Sequence, residues 1–423
     1  MFTKINLENG LRLITVPMEN TNSVTVLILV GTGSKYETKE INGISHFLEH
    51  MFFKGTLKRP NTLEISETLD NIGGQYNAFT SKELTGFWAK VDKKNLDIAL
   101  DWISDIFLNS IFDEKEINRE KGVIIEELNM YLDTPTIYIG ELWDELLYGD
   151  QPAGWKIIGE KENILNFNRK KIIDYYKSHY DTSNTVICIA GGFDQKIIKE
   201  KVENYFKKMP KSYAGGKIET KENQKEPAVL IHNKKTDQTH FCLGVRGYNL
   251  FDKRRYAQSL LSIILGGNMS SRLFIKVRER NGLAYSIHTS SDSMTDTGYL
   301  VTQAGIDHKN LEKTIKLIME EYKDLKDNEI TEKELQKAKD YTKGVTSLSL
   351  DSSDSQASFY ANQEILLGKI ITPEEKFQII DSITVDDIKA VIEDIFVPEK
   401  MNLAIIGPVS KNKKEELKKI LTL

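Results

Sequence analysis

Two copies of one pattern follow each other along this chain, and this repeat limits the folds that the chain can adopt. The strand-like run VTVLILVG, which ends at Gly31, matches HFCLGVRG, which ends at Gly247, at an offset of 216 residues. Near the ends of the copies, NTVICIAGG with Gly191 matches MNLAIIGP with Gly407 at the same offset. Since 423 residues also exceed the usual size of one hydrophobic core, the sequence predicts two copies of one domain.

The joint between the copies is expected in the segment PKSYAGGKIETKENQKEP, which is rich in Gly, Lys and Glu. We therefore assign residues 1–209 to the first domain, 210–227 to a linker and 228–423 to the second domain. Within each copy, apolar strand patterns alternate with polar-faced helical patterns in the order of an α+β fold. The sequence predicts two related sandwich-like domains, each a mixed, mainly antiparallel sheet covered by helices.

Charge and hydropathy exclude several classes of protein. The chain has 57 Lys and Arg against 62 Asp and Glu, so it lacks the basic excess of a nucleic-acid-binding protein. The apolar run Val24 to Val30 is far shorter than the roughly 20 residues needed to cross a bilayer. The N-terminal segment has no basic stretch followed by an apolar signal core. We therefore expect a cytoplasmic protein with no membrane segment and no nucleic-acid partner.

The motif HFLEH at residues 46–50 carries the clearest chemical signal. The surrounding run is predicted to be a helix over about residues 41–54, so His46 and His50 lie one turn apart on one face. This spacing suits two imidazoles that bind one tetrahedral zinc ion, and Glu49 beside them can accept a proton from a bound water. H-x-x-E-H is the inverted order of a metallopeptidase motif. A chance triple on an amphipathic helix is the alternative.

A catalytic zinc ion needs a third protein ligand, and a downstream helix offers four glutamates, at positions 116, 120, 126 and 127. Glu120 and Glu127 are seven residues apart and share one helix face, whereas Glu126 is rotated by about 100°. We predict Glu127 as the third ligand and Glu120 as a neighbour that steadies a ligand or the water. Taken alone, a glutamate cluster on a helix is more often a solvated face.

Three segments, HFLEHMFFKGT, GGQYNAFTSKELTGFW and REKGVIIEELNMYLDTP, together resemble the pitrilysin and insulysin superfamily of zinc peptidases. The closer resemblance is to its mitochondrial-processing-peptidase-like branch of short bacterial-type chains, and it covers nearly the whole sequence. It implies one zinc ion per chain, held by His46, His50 and Glu127, with Glu49 as the catalytic base. Glu120 matches the additional glutamate that the family holds near the metal, and we expect it to support catalysis.

Members of this family bind their substrate as an extra strand at the edge of a sheet. The corresponding strand here resembles residues 75–80, QYNAFT, so Asn77, Ala78 and Phe79 are predicted to pair with the substrate backbone. Such pairing reads little sequence, because the backbone is common to all peptides. An ordinary edge strand after the Gly73-Gly74 turn is the alternative.

The second copy lacks the zinc motif, since the 216-residue offset places Ser262, Leu265 and Gly266 opposite His46, Glu49 and His50. It contains instead SSRLFIKVRERNGLAYSIH, which resembles the family's arginine and tyrosine pair at Arg278 and Tyr285. The resemblance implies that both side chains contact the bound peptide and the developing oxyanion. A guanidinium and a phenol are suited to that negative charge.

These features predict a zinc metalloendopeptidase that cleaves unstructured oligopeptides or targeting-type peptides. In the family, four such domains form a closing chamber, and this chain supplies two. The expected assembly is therefore a homodimer, or a heterodimer with a related subunit. The alternatives are a subunit that is catalytically dependent on a partner chain and a non-catalytic scaffold or peptide-binding subunit.

Overall fold

The first half of the chain forms six strands and eight helices in this computed structural model, which describes residues 2–211 and 216–422. Residues 212–215 of the predicted linker lie outside the described residues. The strands are β1 (Thr3–Asn6), β2 (Arg12–Pro17), β3 (Ser23–Val30), β4 (Gln75–Thr80), β5 (Thr85–Asp92) and β6 (Thr185–Gly191). The helices are α1 (Ile44–Met51), α2 (Thr62–Asp70), α3 (Leu96–Asn109), α4 (Glu114–Asp133), α5 (Pro135–Tyr148), α6 (Lys161–Asn166), α7 (Arg169–His179) and α8 (Ile198–Phe206).

The second half repeats this order with five strands and seven helices among its described residues. The strands are β7 (Ala228–Asn233), β8 (Thr239–Arg246), β9 (Ala284–Ser293), β10 (Gly298–Ile306) and β11 (Met401–Gly407). The helices are α9 (Arg255–Gly266), α10 (Leu311–Asp327), α11 (Glu332–Ser349), α12 (Ser353–Leu367), α13 (Pro373–Ser382), α14 (Val385–Ile395) and α15 (Lys414–Ile420). Among the described residues, no helix combines the length and the apolar character needed to span a bilayer.

The two sheets have the same topology. The first has the order β1-β2-β6-β3-β5-β4 and the second β7-β11-β8-β10-β9, so the second matches the first without β1. In each sheet one pair of strands is parallel, β2 with β6 and β7 with β11, and the other pairs are antiparallel. Strands β3 and β8 and helices α7 and α14 are each offset by 216 residues. The predicted α+β fold with two related mixed sheets is confirmed.

Helices cover both faces of the first sheet, and this explains why its central strand is a continuous apolar run. Residues Val24–Val30 of β3 are all buried, as expected of a strand between two helical layers. Phe87 of β5 contacts Phe52, which directly follows α1, with ring centroids 4.7 Å apart. The next residue, Trp88, packs on the opposite face against a buried cluster that includes Ala357 and Ala361 of α12. A helix from the second half of the sequence therefore completes the first sheet.

A helix from the first half covers the second sheet in the same way. Helix α5 contributes Trp143 and Leu147 to a buried cluster with residues of β8 and β11. The chain accordingly forms two compact units, each built from three segments. Unit 1 contains Met1–Asn129, Lys156–Ile218 and Leu348–Ile370, and unit 2 contains Met130–Trp155, Glu219–Ser347 and Ile371–Leu423. These units do not coincide with residues 1–209 and 228–423, because each copy gives one helix to the other copy's sheet.

Candidate metal centre

Helix α1 carries the HFLEH motif and starts three residues later than the sequence predicted. Gly43 adopts a left-handed conformation with φ 97°, and a Cβ at this position would lie 2.5 Å from the carbonyl oxygen of Ile158. Only glycine fits this turn, so the helix begins at Ile44 instead of residue 41. It ends at Met51, and the chain then turns sharply through residues 52–54.

The first turn and the last turn of α1 bring two imidazoles to one carboxylate of α4. His46 Nε2 lies 3.7 Å from Glu127 Oε2, and His50 Nε2 lies 3.4 Å from the same oxygen. The two imidazole ring centroids are 4.7 Å apart. Within residues 2–211 and 216–422, these three side chains are the one group of His, Cys, Asp and Glu whose ligand atoms all lie within 4.8 Å of one another.

This group fits a zinc ion. A tetrahedral zinc with nitrogen and oxygen ligands at about 2.0–2.1 Å keeps its ligand atoms about 3.3 Å apart. The two measured separations, 3.4 and 3.7 Å, are close to that spacing. Two imidazoles and one carboxylate are also a donor set of catalytic zinc sites, in which a fourth position stays open for water or substrate.

The two histidines have opposite electrostatic environments. Burial, together with the neighbouring charge of His50, lowers the pKa of His46 to about 4, so this imidazole is neutral at pH 7. Burial also disfavours a charged His50, but hydrogen bonds with Glu120 and Glu127 outweigh it and raise the pKa of His50 to about 9. Metal ligation requires a neutral imidazole, so a cation that binds here displaces a proton from His50.

Glu120 is buried and holds His50 from the side away from Glu127. Its Oε1 lies 2.9 Å from His50 Nδ1, and its Oε2 lies 2.7 Å from the Nζ of Lys54. These two partners lower the pKa of the Glu120 carboxyl, although burial alone would raise it. A carboxylate at Nδ1 fixes the ring orientation and leaves Nε2 as the nitrogen that can bind a metal.

Glu49 lies on the same helix with its carboxylate oriented by the edge strand. The hydroxyl of Thr80, the last residue of β4, donates a 2.5 Å hydrogen bond to Glu49 Oε2. Burial raises the pKa of the Glu49 carboxyl, and the Thr80 hydrogen bond opposes this shift. A carboxyl group with a raised pKa is suited to accept and return a proton near neutral pH.

Strand β4 is the edge of the first sheet and pairs with β5 alone among the described strands. Phe79 exposes 37% of its surface, and Asn77 is also exposed, whereas Ala78 is half-buried. The backbone amide of Ala78 donates a 2.9 Å hydrogen bond to the side-chain oxygen of Asn77. The strand lies beside α1, since Thr80 contacts Glu49, so the predicted substrate strand and the histidine helix belong to one site.

Arg278 and Tyr285 lie together in unit 2. Arg278 belongs to a π-helical turn, Phe274–Glu279, and Tyr285 is the second residue of β9. The guanidinium carbon of Arg278 lies 5.1 Å from the Tyr285 ring centroid and 4.8 Å from that of Phe274. Tyr285 exposes 81% of its surface, so its phenol is accessible. Their contact with a peptide stays a prediction.

Sequence reasoning did not identify two residues of this site, Lys54 and Thr80. Lys54 follows His50 by four residues, and this spacing could have suggested that it reaches the same helix face. Thr80 was predicted as part of the substrate strand, but its bond to Glu49 depends on where the strand ends relative to α1. No local pattern in the sequence reveals that contact.

The fold and this site define a class of protein, the metallopeptidases related to insulinase. The sequence model described as Insulinase (Peptidase family M16) matches residues 12–160, and the one described as Peptidase M16 inactive domain matches residues 166–341. The second of these fits the finding that the second copy lacks the histidines and glutamate of the motif. The chain belongs to the M16 peptidase family.

Relatives in several bacteria are similar over almost their entire length. The protein named uncharacterized zinc protease YmxG of Bacillus subtilis is 38% identical over 96% of this chain and 98% of its own. An uncharacterized zinc protease of Streptomyces coelicolor is 31% identical over 98% of this chain and 91% of its own. The crystal structure of a protease from Helicobacter pylori has a TM-score of 0.90 at 24% identity, over 96% of this chain and 99% of that chain. The last similarity supports the fold.

Proposed function

We propose that this protein is a zinc-dependent endopeptidase that cleaves unstructured peptides, with one zinc ion per chain held by His46, His50 and Glu127. The convergence of these three ligands beside Glu49 is the observation that carries the proposal. A zinc ion bound there supplies a Lewis acid for the scissile carbonyl and makes a water more acidic. The names of the relatives, which call them zinc proteases, support this choice of metal.

Glu49 is the proposed general base. Its Oε2 accepts the Thr80 hydrogen bond, which orients the carboxylate, and the group takes a proton from the attacking water. It then returns that proton to the leaving amine. Glu120 holds the His50 ring in the required orientation, and Lys54 neutralises the charge of Glu120.

The substrate is proposed to add to the edge of β4 as one more strand, paired with the backbone of Asn77, Ala78 and Phe79. The support for this is that β4 is an edge strand and that it ends at the hydrogen bond to Glu49. Only an extended peptide can pair in this way, so folded proteins are poor substrates. We further propose that Arg278 and Tyr285 stabilise the oxyanion, as the family resemblance implies.

The proposed assembly is a homodimer, or a heterodimer with a related subunit, that encloses the peptide in a chamber in the cytoplasm. A chain with two of the domains that the family uses in groups of four supports this arrangement. Size measurement in solution, with and without a co-expressed relative, distinguishes the two assemblies.

Removal of the metal is expected to abolish peptide cleavage. Incubation with a chelator such as 1,10-phenanthroline should lower the cleavage rate of a mixture of unstructured peptides by about 10³-fold or more, because the polarised carbonyl and acidified water are both lost. One equivalent of Zn²⁺ per chain should restore the rate, while circular dichroism reports an unchanged fold. Cleavage that persists in metal-free protein would refute the proposal, and cleavage that requires a second chain would favour the heterodimer.

Loss of the Glu120 charge is expected to weaken zinc binding. In Glu120→Gln, the amide can no longer attract the Nδ1 proton of His50 as a carboxylate does, so we expect a zinc dissociation constant about 10- to 100-fold higher. Competition with a chromophoric chelator measures this constant. Glu116→Gln is the matched control on the same helix, since Glu116 pairs with exposed Arg119 and should have no effect.

A further inference from the structure

A buried carboxylate that the proposed mechanism does not use sits at the start of the metal-binding helix. Glu37 exposes 1% of its surface. Its Oε1 accepts a 2.8 Å hydrogen bond from the backbone amide of Ser45, and its Oε2 accepts bonds from the amide of Gly43 at 2.7 Å and from Nδ2 of Asn42 at 3.0 Å. These bonds satisfy amides at the first turn of α1, which would otherwise lack partners.

Glu37 thus replaces an ordinary helix cap. The residue at the N-cap position, Gly43, has no side chain, and the helix has no side-chain hydrogen bond at its cap. Most helices take this cap from the adjacent Ser, Thr, Asp or Asn, whereas here it comes from six residues upstream. Burial raises the pKa of the Glu37 carboxyl to about 7, so the group is held in an environment that disfavours its charge.

A second buried contact fixes the same turn from the side. The Tyr175 hydroxyl of α7 lies 2.7 Å from Ser45 Oγ and 2.8 Å from Thr32 Oγ1. Ser45 and Thr32 are fully buried and Tyr175 exposes 4% of its surface. Ser45 directly precedes His46, so both contacts act next to the first histidine of the motif.

The second copy of the domain offers an internal comparison, because it keeps the fold and lacks the metal residues. At the 216-residue offset, Leu261 corresponds to Ser45 and Val391 to Tyr175, and both belong to one buried apolar cluster. Lys253, which corresponds to Glu37, is exposed. The copy without the histidines therefore fills this place with aliphatic side chains and has no buried carboxylate there.

This difference indicates what the polar network contributes. Burying polar and charged groups is costly, and apolar residues of similar shape often stabilise a fold at least as well. Helix α1 has only eight residues, so its first turn needs outside contacts to stay in place. Directional hydrogen bonds fix both the position and the rotation of that turn, which aliphatic packing specifies less sharply.

We propose that Glu37, Ser45 and Tyr175 form a positioning network that sets the first turn of α1 so that His46 meets the metal together with Glu127. The inference rests on the proposed zinc site and concerns residues that do not touch the metal or the substrate. It assigns to the network a role in metal affinity and not in the stability of the fold alone.

The test compares two single-hydroxyl deletions on helix α7. Tyr175→Phe, alone and combined with Ser45→Ala, removes the contact beside His46. Tyr176→Phe is the matched control, because it removes the 2.9 Å hydrogen bond of the next residue to the Phe107 carbonyl, which lies away from Ser45. Zinc dissociation constants are measured by chelator competition, and thermal unfolding is measured on the zinc-free proteins.

We expect the double variant to bind zinc about 10- to 100-fold more weakly, the range found for residues that orient metal ligands, and the control to match the wild type within about twofold. Equal zinc affinity in all of the proteins would overturn the inference, even with lower melting temperatures, because the network would then be purely structural. If the wild-type chain itself fails to bind zinc, the proposed function fails, and the inference with it.

Discussion

Replacement of Glu49 by Gln is expected to lower the rate of peptide hydrolysis by about 10²- to 10⁴-fold, the usual contribution of a general acid–base residue. Glutamine has the same size and can still accept the hydrogen bond from Thr80, but it cannot take a proton from water. Zinc content should stay at one ion per chain, because Glu49 is not one of the three ligands. Steady-state cleavage of an unstructured peptide and metal analysis of the same sample measure both quantities.

Glu126→Gln is the matched control for this experiment. Glu126 is the neighbour of Glu127 on α4, and its side chain is exposed, so the variant should cleave the peptide at the wild-type rate. Full activity of Glu49→Gln would show that another group accepts the proton. Loss of zinc from Glu49→Gln would instead indicate that the substitution disturbs the helix, and the rate would then say nothing specific about the base.

The metal-binding group could be predicted from the sequence because it depends mainly on helical periodicity. His46 and His50 are one turn apart, and Glu120 and Glu127 are two turns apart, so each pair shares a face in any regular helix. Only the meeting of the two helices required the fold, and the family resemblance supplied it. The predicted ligand set is the group that the structure brings together.

Residues that reach the site through tertiary contacts could not be predicted. Glu37 lies in a loop nine residues before His46, and its role becomes visible only when the chain folds back over the start of α1. The predicted start of this helix at residue 41 was wrong for a local reason. The apolar pattern continues upstream, but Gly43 has a left-handed conformation that ends it.

The exchange of helices between the two units was also outside the reach of the sequence. The spacing of Trp143, Leu146 and Leu147 predicted a buried stripe on α5, and this is confirmed, since all three pack in or against one apolar cluster. The stripe reveals that the helix is buried but not which sheet it covers. Two related sheets present similar apolar faces, so the pairing depends on the long-range path of the chain.

A charge introduced into α12 is expected to unfold the unit that carries the metal site, although α12 lies roughly 300 residues beyond His46 in the sequence. Ala361 is fully buried against the first sheet, in a cluster with residues of β2, β3 and β6. In Ala361→Glu, an unpaired carboxylate is forced into this apolar layer, and we expect a loss of about 3 kcal/mol or more in the free energy of unfolding. Thermal unfolding followed by circular dichroism should show a melting temperature lower by about 10 °C.

Asn362→Glu places the same charge one residue further along, where the side chain is partly exposed, and should change the melting temperature by about 2 °C or less. The comparison isolates burial from helix propensity, because both variants put glutamate in the middle of α12. Since α12 covers the sheet face opposite to α1, zinc loss in Ala361→Glu would follow from unfolding and not from direct contact with the site. Equal melting temperatures for the two variants would mean that α12 does not stabilise the first sheet, and the unit would then have to be redrawn without it.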